Sequence, residues 1–184
     1  MKPIHLRNVP PPVETFNHIQ FLKFMASWIK PEKYLELGCR SGASLIPISS
    51  HCKSVIGVDM DPPGYNIPTN AKIEVCTTDE YFEKTDESVQ YDMVFIDADH
   101  SYKQSLKDFM NVKDRVIENG FVFMHDTSPY DISFTSRNLC EDTWKTAKWI
   151  KNNLINEWEV VTLPFNPGLT ILKRMNIDKQ LAWE

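Results

Sequence analysis

The sequence predicts an α/β fold, a mostly parallel β-sheet with helices on both faces. Three observations carry that prediction. Short runs rich in Val, Ile, Leu and Phe alternate with longer amphipathic stretches, the order that builds parallel sheets through crossover helices. The runs are almost continuously apolar, as in YDMVFID (91–97), which suits strands buried on both faces. Several of them end in glycine or a carboxylate, as in KYLELG, SVIGVD and FVFMHD.

The elements follow in order. Phe16, Ile19, Phe21, Leu22, Met25, Trp28 and Ile29 recur near helical spacing, so residues 14–29 read as an amphipathic helix after an irregular leader. Pro31 closes it. KYLELG (33–38) is a buried strand. ASLIPISSH (43–51) reads as a helix, provided Pro47 lies in its first turn or kinks it. SVIGVD (54–59) and KIEVC (72–76) are further strands, separated by the Pro- and Gly-containing loop DPPGYNIPT. TDEYFEKT opens a helix or turn, with Thr78 or Asp79 as its cap. YDMVFID is the fourth strand. Residues 101–117 read as a helix from Leu106, Phe109, Met110, Val112 and Val116, stopped by Asn119-Gly120. FVFMHD (121–126) is the fifth strand. A polar segment, 127–143, comes next and reads as the cover of an acceptor pocket, followed by the helix TWKTAKWIKNNL. WEVVTLP (158–164) and GLTILKR (168–174) form an antiparallel pair across a turn at Asn166-Pro167-Gly168.

The chain has 184 residues and reads as one domain over 1–184, with 1–30 as leader and first helix. Its formal charge of −5 and its lack of a dense Lys/Arg run argue against a nucleic-acid partner. No apolar run approaches the roughly 20 residues of a membrane span. The N-terminus, MKPIHLRNVPPPVE, lacks a signal-peptide core. Cys39, Cys52, Cys76 and Cys140 form no C-x-x-C pair, so they read as reduced thiols of a cytoplasmic protein. The oligomeric state stays open, a homodimer among the options.

In a parallel sheet, ligands bind beyond the carboxyl ends of the strands. That rule puts Glu36, Gly38, Asp59, Asp79, Asp97, Asp99, His100, His125 and Asp126 on one rim. ELGCRSG (36–42) joins a strand to a helix with G-x-x-x-G spacing, not the G-x-G-x-x-G of dinucleotide folds. Gly38 permits a tight turn and Gly42 a close ligand approach, although an ordinary strand-to-helix turn has the same composition. Asp59, about 20 residues on, is placed to accept from ribose hydroxyls.

Together, ELGCRSG, VIGVDMD, TTDEYF, YDMVFIDADHSY, NGFVFMHDT and GLTILKR resemble the class I S-adenosylmethionine-dependent methyltransferases over residues 30–175. The likeness is greatest to small O-methyltransferases acting on sugars and antibiotics, related to the catechol enzymes. The resemblance implies a doubly wound, Rossmann-like, seven-stranded sheet whose last strand is antiparallel. It implies that Glu36, Gly38, Ser41, Gly42 and Ser44 surround the methionine part of the cofactor. Asp59 would hold the ribose, Met60 would pack on the adenine, and Thr78 and Asp79 would lie at the adenine edge. Asp97 and Ala98 would sit beside the sulfonium.

A hydroxyl acceptor needs a base or a metal ion to become a nucleophile. By resemblance, His100 falls where the catechol enzymes carry their lysine base, and a histidine titrates in a suitable range. Asp97 and Asp126 fall at metal-ligand positions, for a divalent ion such as Mg²⁺. The third ligand position departs from the pattern, because Asp126 is flanked by His125 and Thr127. His125 is therefore a second candidate base. Asp99 reads as a helix cap. Trp149 and Trp158 read as core, while Trp144, Trp183 and Arg137 are weaker candidates for contact with acceptor. The expected function is methylation of a hydroxyl on a small molecule such as a sugar. The alternatives are a nucleotide-cofactor oxidoreductase, or a non-catalytic cofactor-binding domain that stabilises a partner complex.

Overall fold

A computed structural model describes residues 16–137, 139–165 and 167–176. Its centre is a sheet of seven strands: β1 (Lys33–Leu37), β2 (Ser54–Asp59), β3 (Ala71–Val75), β4 (Tyr91–Ile96), β5 (Val116–His125), β6 (Trp158–Leu163) and β7 (Leu169–Arg174). They lie in the order β3-β2-β1-β4-β5-β7-β6. Strands β1 to β5 pair in parallel, and β7 runs antiparallel to both β5 and β6. The order reverses between β1 and β4, so a crevice opens beyond their carboxyl ends. The doubly wound architecture is the one expected.

Helices α1 (His18–Ile29), α2 (Leu45–Ser49), α3 (Thr78–Lys84), α4 (Tyr102–Lys113) and α5 (Trp144–Asn153) cover the sheet. One cluster packs Phe109 and Val112 of α4 and Ile150 of α5 on Leu35, Val94 and Val122. The second packs Leu22 and Ala26 of α1 and Leu45 and Ile48 of α2 on Tyr34, Phe95 and Phe123. Trp158 is buried and Trp149 packs against the first cluster, as expected. Trp183 lies outside the described residues.

The starts of α1, α3 and α4 obey local capping chemistry. Asn17 and Gln20 form a capping box that sets the first turn of α1 at His18. In α3 the cap is Thr77, boxed with Glu80, rather than Thr78 or Asp79. In α4 it is Ser101, and Asp99 instead accepts from the Ser101 N–H one turn earlier. Pro47 sits in the first turn of α2, where it lacks no hydrogen bond.

The expected helix 101–117 ends early, at Lys113. Val116 pairs with Tyr91, so β5 begins there, and the register then shifts to Met93 opposite Phe121. The extra residues loop out of the ladder through Asn119, at φ 61°. Asn119-Gly120 does make a turn, but inside a strand. Tertiary pairing with β4 overrode a helical pattern whose β-branched end, Val116-Ile117, also suits a strand.

Candidate functional site

The carboxyl ends of β1, β2, β4 and β5 surround a cleft of about 1020 Å³. Its floor is a backbone contact. Gly38 has φ 84°, and a Cβ there would lie 2.2 Å from the Asp97 carbonyl oxygen. Only glycine lets the turn after β1 press this close to the end of β4. The Gly38 N–H donates to the Val58 carbonyl at 2.8 Å and the Asp97 N–H to that of Leu37 at 2.9 Å, so adjacent strand ends lock the turn.

On one side lies Asp59. Its Oδ2 accepts from the Arg40 N–H at 2.6 Å and its Oδ1 from the Asp61 N–H at 3.0 Å. These bonds orient the carboxylate and leave lone pairs for a ligand. Met60, 72% exposed, lines the cleft beside it, an uncovered apolar surface suited to a flat ring. Thr78 and Asp79 form the next wall, with Gln104 of α4 between them. The Asp79 carboxylate is held by Lys107 at 2.6 Å and Gln104 at 3.1 Å, which keeps it below the usual carboxylate range.

The remaining residues expected around the cofactor fall elsewhere. Glu36 is fully buried, accepting from Tyr34 Oη at 2.6 Å and Ser44 Oγ at 2.5 Å. Burial raises its carboxyl to about 7. Ser44 is thereby engaged, and Ser41 is exposed beside the turn. A Cβ on Gly42 would meet the Tyr65 ring at 2.8 Å. In this structure the missing side chain makes room for Tyr65 of the 60–70 loop. None of Glu36, Ser41, Gly42 and Ser44 lines the cleft.

The opposite side is a cluster of carboxylates and imidazoles. Asp97 and His100 follow β4, while His125 and Asp126 end β5. His100 Nε2 lies 3.1 Å from Asp126 Oδ2 and 3.7 Å from Asp97 Oδ1. His125 Nδ1 lies 3.2 Å from Asp97 Oδ1 and 3.4 Å from Asp126 Oδ1. The two carboxylates, Asp97 foremost, raise His100 to about 9. Asp97 is held low by its imidazole partners in spite of burial, while burial pushes Asp126 up. Burial opposes protonation of His125, yet Asp97 carries it upward.

The tautomer of His100 is set by the 127–143 segment. The Leu139 carbonyl, which can only accept, bonds Nδ1, so Nδ1 carries a hydrogen and Nε2 is the atom that gains or loses a proton. The same segment grips the His100 carbonyl through Thr143 Oγ1 at 2.7 Å and the Asp142 N–H at 3.2 Å. Phe134, Leu139 and buried Cys140 of this segment line the cleft. Arg137 is exposed outside it, and Trp144 instead carries Lys145 over its ring at 5.8 Å. Ligand atoms of Asp97, His100 and Asp126 lie within 4.8 Å of one another, close enough to share a cation.

The structure adds residues that the sequence did not single out. His18, from the first turn of α1, stands 3.9 Å from His125 between ring centroids. Burial and the neighbouring imidazole lower it to about 4. No local pattern marks it. Gln104 had a signal, its i,i+4 spacing to Asp108 on one face of α4.

A family model described as "Methyltransferase domain" matches residues 35–127. A search of curated proteins finds no match. Among solved structures, a Staphylococcus aureus protein described as a candidate caffeoyl-CoA O-methyltransferase superposes with a TM-score of 0.68 at 19% identity, over 85% of this chain and 82% of the other. A Podospora anserina methyltransferase, solved with SAH bound, gives 0.66 at 15% identity, over 86% and 78%. A Bacillus cereus O-methyltransferase in complex with SAH gives 0.64 at 12% identity, over 91% and 84%. At these identities the likeness is one of fold.

Proposed function

This chain belongs to the methyltransferase-domain family, and from that premise we propose that it is an S-adenosylmethionine-dependent O-methyltransferase acting on a small-molecule hydroxyl, such as that of a sugar. The observation that carries the reading is the convergence on one cleft of an oriented carboxylate, Asp59, and an imidazole, His100, held between two carboxylates.

The residues fit the cofactor. Asp59 offers lone pairs to ribose hydroxyls, Met60 offers its exposed face to the adenine, and Gly38, Asp97 and Ala98 leave the floor open for the methionine portion. When bound, the cofactor supplies a methyl group already activated on a sulfonium. The protein's part is then to position the acceptor in line and remove its proton. His100 Nε2 takes that proton, Asp97 and Asp126 stabilise the resulting imidazolium, and the 127–143 segment shields the exchange from water. His125 holds Asp97 in place for this role.

A second reading of the same cluster has a specific observation behind it. Asp97, His100 and Asp126 can share a divalent cation. Two carboxylates with an imidazole suit a transition ion such as Mn²⁺ better than Mg²⁺. Such an ion would supply Lewis acidity to the acceptor hydroxyl, with His100 as ligand rather than base. The free thiols Cys39, Cys52, Cys76 and Cys140 suit the reducing cytoplasm. Among the described residues no helix is long and apolar enough to cross a membrane.

Turnover against pH, with and without EDTA, separates the two readings. With a folded value of about 9, only roughly one His100 in a hundred is neutral at pH 7. As base, His100 must lose its resting proton first, so turnover climbs with pH until about 9 and ignores EDTA. As ligand, it loses activity in EDTA and recovers it with Mn²⁺. A screen of hydroxyl acceptors that yields no methylated product at any pH, with or without metal, would sink the assignment.

A further inference from the structure

We propose that Gln104 reads the amino edge of the cofactor's adenine, and that Asp108 beneath it is the positioning residue that fixes its amide; the inference rests on the cofactor reading above. Gln104 Nε2 lies 3.1 Å from Thr78 Oγ1, 3.1 Å from Asp79 Oδ1 and 3.0 Å from Asp108 Oδ1. Two of these acceptors are carboxylate oxygens. An amide turned the other way would press its own oxygen against both, so the network itself selects the orientation. Thr78 Oγ1 gives its hydrogen to Asp108 Oδ1 at 2.7 Å, which leaves it free to accept from Gln104.

The consequence falls on the other end of the amide. Both N–H groups of Gln104 are engaged, and its Oε1 has no protein partner among the described residues, on a side chain that lines the cleft between Thr78 and Asp79. The Asp79 carboxylate, expected at the adenine edge, accepts one bond on each oxygen, from Lys107 and Gln104. Beside it, Oε1 is an acceptor on this wall that no protein donor occupies among the described residues. An acceptor-only atom selects a ligand that presents an N–H, as the 6-amino group of adenine does. A 6-oxo purine would set oxygen against oxygen.

Asp108 is fully buried, with one oxygen bonded to Thr78 and Gln104 and the other, Oδ2, without a partner. A buried oxygen left open is costly. The bonds made by Oδ1 tie α4 to the start of α3 and hold the amide nitrogen inward.

The test is calorimetric titration of S-adenosylhomocysteine and its 6-oxo analogue, S-inosylhomocysteine, into wild type, Gln104→Met and Asp108→Asn, with thermal melts to confirm folding. Wild type should favour the adenosyl form about tenfold or more. Gln104→Met keeps the length of the side chain without its amide, so adenosyl affinity should fall about tenfold while inosyl affinity holds, erasing the preference. Asp108→Asn, which never touches the ligand, should shrink the preference in the same direction by freeing the amide to turn. Equal loss for both ligands would mark a merely structural role and overturn the inference, as would equal wild-type affinities. If one variant fails to fold, the other decides. If wild type binds neither ligand, the cofactor reading falls, and this inference with it.

Discussion

The two sides of the cleft are built by different means. On the Asp59 side, the polar groups are oriented by backbone N–H groups of adjoining turns or by one neighbouring helix. Asp59 is held by the N–H groups of Arg40 and Asp61, and α3 is started by Thr77 and Glu80 boxing one another. On the His100 side two short local pairs, Asp97 with His100 and His125 with Asp126, are brought together from distant parts of the chain. Asp97, His100, His125 and Asp126 come from two strand ends, Leu139 and Thr143 from the segment before α5, and His18 from α1. Neighbouring donors give a rigid binding surface. Opposed charges brought from distant elements give a group whose proton affinity depends on the whole arrangement.

Breaking the second side should show most. His100→Ala is expected to lower turnover by about 10²–10⁴-fold, the usual weight of a general base, with S-adenosylhomocysteine affinity by calorimetry nearly unchanged. A large loss of affinity would mean that the two sides are not separable. Next comes the first side. Asp59→Ala removes a charged acceptor and should weaken cofactor binding by about 1.5–3 kcal/mol, leaving the pH profile of turnover in place at saturating cofactor. Unchanged affinity would remove Asp59 from the ribose role. Smallest is the cap of α3. Thr77→Ala should cost about 1 kcal/mol of stability in a denaturant melt. If it instead altered the pH dependence of turnover, the independence of the two sides would be lost.

Much of the fold was legible because it follows from short-range rules. Continuous apolar runs such as YDMVFID can be buried only between two layers, and the antiparallel pair after 158 announces itself through a short turn. The misplaced boundary lies where two elements meet. Val116 satisfies the periodicity of α4, but its backbone pairs with Tyr91. The site was legible in the same uneven way. Gly38, Asp59 and Asp97 stand at strand ends and reach the cleft, whereas Glu36 points into the core and is fully buried between Tyr34 and Ser44. Position in a motif says that a residue is near the rim, not which way its side chain turns.

By itself, the sequence determined the strand-and-helix alternation and the carboxylate at the end of the second strand, because each depends on residues a few positions apart. Only the tertiary structure decided that His100 sits between Asp97 and Asp126 with its tautomer set by Leu139, that His18 packs against His125, and that Gln104 turns its oxygen away from two carboxylates. Those outcomes depend on distances across the sheet. Charge at close range, in a partly buried cluster, is set by which elements meet rather than by which residues follow one another.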